Sequence, residues 1–534
     1  MLKDKLDLQD FQSLRPHLYA RGFLITDNSS TFSNKYPFYN FWSRQTIGPF
    51  HFWIHKDSFF YTYSEEHTTL FLIGHAYDPF SKVFNETAIL EKLYSVLQQT
   101  PSAFWEEESK LTGNFLIGWV KNNTIVCSGD AVGMQITYYG QANGNMYISS
   151  FSKLIDDLCG LSRDEYVDRL ISSRYYPYFG LFLPGDISPF TQLKRLPANH
   201  FLRFCSATSF AVTRYYPLRP ICYCPDNQTS YQALIDQICE ILENSMDMIS
   251  RKWPHGRAAI SVTGGKDSTT TLACSKRFYD RFSYFSYISA DKESVDAYAA
   301  HEICNALNLP HKIYHIPQRD LTDKEFLVFQ QIMEYNFGCI GTSKRNEIDK
   351  RLFFSSSSGF HDFDIEVKSW VDEISRARLH KRYHKRHFPK TLSPRMCTTL
   401  YKIFLFDRKL AIETDRIFKS YLSSYYSKNI FQNIPWWDLF YWEFLWGSGE
   451  ALFLTAEQKI SYDITIPYNN RILLEKMLSA PLHKRINDDL QRDIILQMDR
   501  RIADTNISIR DVGYSSTRTI AERLYLEIHS HIPF

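Results

Sequence analysis

Net charge, paired cysteines and long apolar runs are all scarce in this 534-residue chain. Lysine and arginine number 61 against 59 aspartate and glutamate, a formal charge of +2, so no global field draws it to nucleic acid or anionic lipid and any such binding has to be local. Ten cysteines occur without a C-x-x-C pair, the closest being Cys222 and Cys224. That excludes a zinc ribbon and a disulfide frame, and predicts reduced thiols in the cytoplasm. No apolar run reaches bilayer-crossing length, and the opening MLKDKLDLQDFQ has acids where a secretory signal has its apolar core. A soluble cytoplasmic protein without membrane attachment is expected. Glycine and proline number only 21 each, while 44% of residues are apolar and 16% aromatic, which excludes long disorder. The length exceeds what one hydrophobic core supports, so two domains are expected.

What is present centres on Ala258 to Thr271, AAISVTGGKDSTTT. Ala258 to Val262 is short, apolar and β-branched, as a buried strand should be, and Thr269 to Tyr279 reads as a helix. Gly264 and Gly265 can take positive φ and let backbone N–H groups approach a ligand. With the Ser268 and Thr269 hydroxyls and the helix N-terminus behind them they form an anion cradle suited to pyrophosphate. The Walker spacing is absent, since Ile260 stands at its first glycine and Asp267 follows the lysine. Downstream, Phe282 to Ser289 and Lys312 to Ile316 read as strands around a helix from Glu293 to Asn308. That order, β-α-β-α-β, predicts a parallel sheet with its ligand at the carboxyl ends of the strands, near Ser261 and Ser289.

Thr263-Gly264-Gly265-Lys266-Asp267-Ser268 resembles the SGGxDS pyrophosphate loop of ATP-pyrophosphatase enzymes. The resemblance implies ATP as the nucleotide, with Ser261, Thr263, Gly264, Gly265, Lys266, Ser268 and Thr269 around it and Asp267 helping to hold Mg²⁺; Ser289, which leaves the second strand at the same edge, reads either as an adenine contact or as part of a solvated turn. Ahead of the loop, Phe50 to Ser150 is strand-rich around one helix, Asn85 to Gln99, an α+β pattern of packed sheets. About fifty residues are expected before its first core strand. Leu111-Thr112-Gly113-Asn114-Phe115 with Asp130, Gly133, Tyr138 and Tyr139 is similar to the amidotransferase-like N-terminal domain of asparagine synthetases. Phe179 to Asp186 and Pro189 to His200 resemble the join between that family's two domains.

Together these stretches resemble the asparagine synthetase and β-lactam synthetase superfamily. The resemblance implies an Ntn-type αββα glutamine amidotransferase-like domain over residues 1–217. An α/β synthetase domain of the adenine nucleotide α-hydrolase type would cover 229–534, with 218–228 as linker. Glutamine-hydrolysing members place a nucleophilic cysteine after the initiator methionine; here that position is Leu2, so no glutaminase activity is expected. The family's G-x-G-x-D-E segment is sought at Phe353 to Glu366, where Asp362, Asp364 and Glu366 are candidates for catalysis and Asp362 for a second metal ligand. Their alternation also suits an exposed strand face. A late family lysine that stabilises oxyanion and pyrophosphate is matched to Arg492.

Three features carry weaker chemistry. The basic run from Arg376 to Arg395 reads as a solvated helix face or as a local surface for phosphates or RNA. His380 and His384, four apart within it, lack a third metal ligand in sequence. Trp436 to Trp446 is aromatic at helical spacing and reads as core.

The expected activity is therefore an ATP-dependent, AMP-forming carbon–nitrogen ligase that joins a small-molecule or peptide carboxylate to an amine. Nucleic acid is not an expected partner, and a homodimer is left open. Two rivals stand beside it: a tRNA-modifying ATP pyrophosphatase, and an ATP-binding protein without catalysis.

Overall fold

The computed structural model describes residues 11–30, 41–173, 176, 182–205, 208–341, 343–355, 362–383, 388–401, 407–426 and 429–507, with isolated residues between 520 and 528. Leu2, the serine run 356–358 and His384 lie outside the described residues.

Twelve strands build the first part of the chain. They are β1 (Phe23–Thr26), β2 (Trp42–Ile47), β3 (Phe50–His55), β4 (Phe60–Glu65), β5 (Thr68–Tyr77), β6 (Thr112–Lys121), β7 (Thr124–Gly129), β8 (Tyr138–Ala142), β9 (Asn145–Ser149), β10 (Leu193–Arg195), β11 (His200–Cys205) and β12 (Thr208–Arg214). They form two six-stranded sheets, ordered β10-β8-β9-β1-β3-β2 and β12-β11-β7-β6-β5-β4. Phe23, Ile25, Phe52 and Met146 from one sheet meet Phe71, Ile73, Leu116 and Phe204 from the other in a buried layer, as alternating strands require when each sheet hides one face. The outer face of the second sheet is covered by the helices Glu86–Leu97 and Pro101–Glu108, through Leu90, Leu93, Phe104 and Trp105. The first core strand arrives earlier than the sequence suggests: β1 is buried at all four positions and lies between β9 and β3.

After the helix Gln228–Lys252 come β13 (Ala258–Ser261), β14 (Ser283–Ile288), β15 (His311–His315), β16 (Ile365–Val367) and β17 (Asp463–Thr465). Their order is β15-β14-β13-β16-β17 and every pairing is parallel. The predicted β-α-β-α-β unit is present, with helices Lys266–Cys274 and Ser294–Ala306 between its strands. β13 runs down the middle with Ala258, Ala259 and Ile260 wholly buried, so the chain leaves the sheet at a central position when it turns after Ser261. Among the described residues no helix is long and apolar enough to cross a membrane.

Candidate functional site

The turn after β13 is closed by its own hydroxyls. The Thr263 N–H donates to Ser268 Oγ at 3.0 Å, the two hydroxyl oxygens lie 2.8 Å apart, and the Gly265 N–H donates to Thr263 Oγ1 at 3.2 Å. Thr269 Oγ1 donates to the Gly265 carbonyl at 3.0 Å. These bonds fix the N-terminus of the helix Lys266–Cys274 against the strand end, where its unpaired N–H groups favour an anion. Gly265 has φ −77°, so its lack of a side chain serves close approach and not a left-handed turn: a Cβ there would come within 3.2 Å of Thr263 Oγ1.

The turn opens into a cavity of about 510 Å³ at the carboxyl edge of the parallel sheet. Ser261, Val262, Thr263, Asp267 and Ser268 line it from the turn, Ser286 and Tyr287 from β14, and Glu293, Asp296 and Ala297 from the next helix and its approach. Lys350 enters from the helix Arg345–Ser355. Lys368, Ser369, Trp370 and Glu373 follow β16, and Trp446 and Glu450 complete the wall. Two further cavities adjoin it and share Glu450: one of about 940 Å³ with Glu334, Glu347 and Glu457, and one of about 210 Å³ with Arg378, Arg382 and Tyr441. Burial, with Glu347 nearby, pushes the Glu457 carboxyl up to about 7.

Below the turn Asp267 lies against Asp372. Burial first, and then each one's carboxylate neighbourhood, raises Asp267 well above its usual range, with Arg376 opposing; burial likewise raises Asp372. Arg376, 3% exposed at its side chain, reaches Asp267 Oδ1 at 2.7 Å and Asp488 Oδ1 at 2.8 Å. Lys381 also pairs with Asp488, and Lys266 Nζ lies 3.6 Å from it. Burial works against the Asp488 charge, but Arg376 and Lys381 win and lower its carboxyl to about 2. Asp372 Oδ1 accepts from Gln491 at 3.0 Å, whereas its Oδ2 is buried with no hydrogen-bond donor among the described residues. An oxygen so placed beside a second carboxyl needs a shared proton or a cation. Two carboxylates with nucleotide phosphates are a fitting donor set for Mg²⁺. Among the described residues no group of three or more His, Cys, Asp or Glu side chains could hold a metal without such help.

Of the residues singled out in the sequence, the structure gathers Ser261, Thr263, Asp267 and Ser268 at the cavity wall, with Gly265 and Thr269 bonded directly behind them. Ser289 lies off the wall: its N–H and its Oγ both donate to Glu293 Oε2 at 2.8 Å. Asp364 belongs to the opposite end of the sheet. Its N–H donates to the carbonyl of Arg257, the residue before β13, and its carboxylate pairs with that arginine. Asp362 accepts from Tyr314 OH at 2.5 Å and pairs with Lys312, away from the cavity wall. Glu366, buried within β16, pairs with Lys368 Nζ at 2.5 Å. Arg492 is 56% exposed at its side chain and pairs with Asp489 at 2.9 Å and Asp493 at 3.6 Å.

The carboxylates that do reach the site from β16 are Asp372 and Glu373, further along the chain than the sequence reading placed them. The D-E dipeptide is the available signal, but Lys368 and Trp370 stand where the two glycines of G-x-G-x-D-E are expected. Val371 nevertheless adopts φ 77°, ψ −29°, the left-handed region that a β-branched side chain resists. The basic run is also less solvated than expected at its start: Arg376 is buried, Arg378 pairs with Glu373, and His380 packs against Phe388 and Trp437. Trp436 and Trp442 are core, as expected, but Trp446 faces the cavity.

No family model matches the chain, and no curated protein matches it. Two similar solved structures are an allosteric regulatory enzyme of purine biosynthesis, at 10% identity and TM-score 0.24 over 56% of this chain and 60% of that one, and glutamine phosphoribosylpyrophosphate amidotransferase from B. subtilis in complex with ADP and GMP, at 12% identity and TM-score 0.23 over 57% and 61%. The chain thus spans about three fifths of the length of either. A likeness this slight carries no argument about fold or activity, which rest on the sheets and the cavity themselves.

Proposed function

We propose that the chain is an ATP-dependent ligase of the asparagine synthetase type, which activates a carboxylate with release of pyrophosphate and passes it to an amine. The observation that carries this reading is the hydroxyl-closed glycine turn and helix N-terminus opening into a 510 Å³ cavity at the carboxyl edge of a parallel sheet, where open α/β sheets receive nucleotides. Thr263, Gly264, Gly265, Lys266, Ser268 and Thr269 would hold phosphates, and Ser261, Ser286 and Tyr287 would border the nucleoside. Asp267 and Asp372 would hold Mg²⁺, which supplies neutralisation of phosphate charge during transfer. The arginine-bearing cavity suits the donor carboxylate and the glutamate-bearing one the amine. Residues 1–217 would form an amidotransferase-like domain that shapes access, and 229–534 the synthetase domain.

Pyrophosphate release from Mg·ATP is the test, with pools of carboxylic acids, amino acids and peptides in the presence of amines, and with Asp267→Ala as control. Release that depends on a carboxylate and disappears in the variant supports the ligase. Arg376 seated on Asp267 favours a second reading, a nucleotide-binding protein without turnover, and ATP binding with no release from any pool would select it. The RNA-directed reading finds no such support, because Arg376, Arg378 and Lys381 are each paired internally.

A further inference from the structure

Binding a polyphosphate requires positive charge at the cavity wall, and Arg492 is not on that wall. Among the described residues the cavity presents five carboxylates, Asp267, Glu293, Asp296, Glu373 and Glu450, against two lysines, Lys350 and Lys368. The two lysines are not equivalent. Lys350 Nζ is shared between Glu293 at 2.9 Å and Glu347 at 2.5 Å, so its charge is already matched twice. Lys368 has one acidic partner in reach, Glu366 at 2.5 Å, and an ammonium carries three N–H donors.

The position of Lys368 is fixed independently of that ion pair. It leaves β16 at the carboxyl edge, and its N–H donates to the Thr465 carbonyl at 2.9 Å. The next residue, Ser369, accepts from Thr271 Oγ1 at 2.8 Å, and Thr271 lies on the helix that begins at the glycine turn. Backbone and turn are thereby registered to each other. The ammonium lies 4.9 Å from the Trp370 ring centre and 5.7 Å from that of Tyr287, both rings being part of the same wall. Glu366 is wholly buried in the strand and is not part of the cavity wall, whereas Lys368 is, so the cavity meets the cationic member of the pair.

We propose that Lys368 is the phosphate anchor of this cavity, a lysine at the end of β16 that supplies the charge the family resemblance assigns to Arg492. The inference rests on the nucleotide reading above and adds to it the residue that selects for a polyphosphate over an uncharged nucleoside. Lysine suits the task because its compact ammonium can serve a phosphate oxygen without needing the planar match of a guanidinium.

The experiment is calorimetric titration of wild type, Lys368→Met and Lys368→Arg with ATP, AMP and adenosine in Mg²⁺ buffer. Lys368→Met should weaken ATP at least tenfold and AMP less, leave adenosine within twofold, and Lys368→Arg should recover part of the ATP loss. Because Met alone strands a buried carboxylate, the double variant Glu366→Gln, Lys368→Met is run beside it and should show the same selective loss with a melting temperature nearer wild type. Equal losses for ATP and adenosine would reduce Lys368 to a packing role and overturn the proposal, as would unchanged ATP affinity in both variants. Wild-type protein that binds none of the three ligands sinks the nucleotide reading, and the proposal with it; tight wild-type binding that the variants leave intact sinks the proposal alone.

Discussion

Arg471, at the start of the helix that follows the parallel sheet, and Glu108, on a helix covering the antiparallel sheets, form an ion pair at 2.7 Å with neither side chain exposed. Around it Arg471 donates to Asn199 Oδ1 at 3.0 Å and to the Gly129 carbonyl at 2.8 Å, while Tyr215 OH donates to Glu108 Oε2 at 2.9 Å. The preceding Asn469 donates to Asp130 Oδ1 at 2.9 Å and to the Gly113 carbonyl at 2.7 Å. The loop between β17 and this helix is thus a polar plug that ties the parallel sheet to the strands ahead of it.

Removing one member of that buried pair leaves the other charge without its partner, so Arg471→Met or Glu108→Gln should each cost about 3–5 kcal/mol of stability. The double variant should cost less than the sum. Urea unfolding measures all three, and single-variant losses under about 1 kcal/mol would show that the plug does not hold the two parts together.

Acid should loosen the start of the chain. His17 Nδ1 donates to the Ile460 carbonyl at 3.1 Å, and burial lowers its imidazole to about 4. The unfolded imidazole titrates near 6.5. The unfolded chain therefore binds the extra proton first, and the His17 contribution to stability, constant above pH 6.5, should fall as pH drops from there toward about 4, by up to ~1.4 kcal/mol per pH unit. His17→Asn should flatten part of that slope in urea midpoints taken between pH 7.5 and 4.5. An unchanged slope would assign the acid sensitivity elsewhere, with His55, also lowered to about 4 mainly by burial, as the next candidate.

Asp372→Asn should reduce carboxylate-dependent pyrophosphate release by about a hundredfold or more, an order of effect expected where charge at a phosphoryl site is removed. Asp364→Asn, at the other end of the sheet, should stay within about twofold, as surface pairs usually do. The reverse ranking would place the functional acids before β16 and not after it.

In the proposed site Arg376, seated on Asp267 at 2.7 Å, would compete with a divalent cation for that carboxylate. Arg376→Gln should tighten Mn²⁺ binding several-fold, read directly by electron paramagnetic resonance without nucleotide. Identical Mn²⁺ titrations for wild type and variant would mean that the guanidinium does not contend for that carboxylate.

How much of this was legible depends on element length. The glycine turn and its flanking strands were readable because a buried apolar run, two glycines and a hydroxyl cluster are local signals that need no partner to interpret. The hairpins from β3 to β9 alternate long enough to show their period. β1, with four residues, and β16 and β17, with three each, are too short for any period, and so β16 and the acids that follow it escaped notice. Asp362, Asp364 and Glu366 are eligible in sequence because a three-residue strand gives no signal of where it starts and ends, so acids before and within β16 read like acids after it. Lys368 is illegible for a related reason: its place on the cavity wall beside the Trp370 and Tyr287 rings arises from tertiary packing.

Val371 gives the acid pair an unusual mechanical setting. Holding a buried β-branched residue at φ 77° costs on the order of 1–3 kcal/mol, and the packing of its side chain is what keeps the backbone there. Asp372 and Glu373 are therefore aimed by a loaded spring rather than by a free pivot. The same contacts that make the segment expensive to form keep its carboxylates from drifting when the cavity is empty, so readiness of the site is stored in the resting fold.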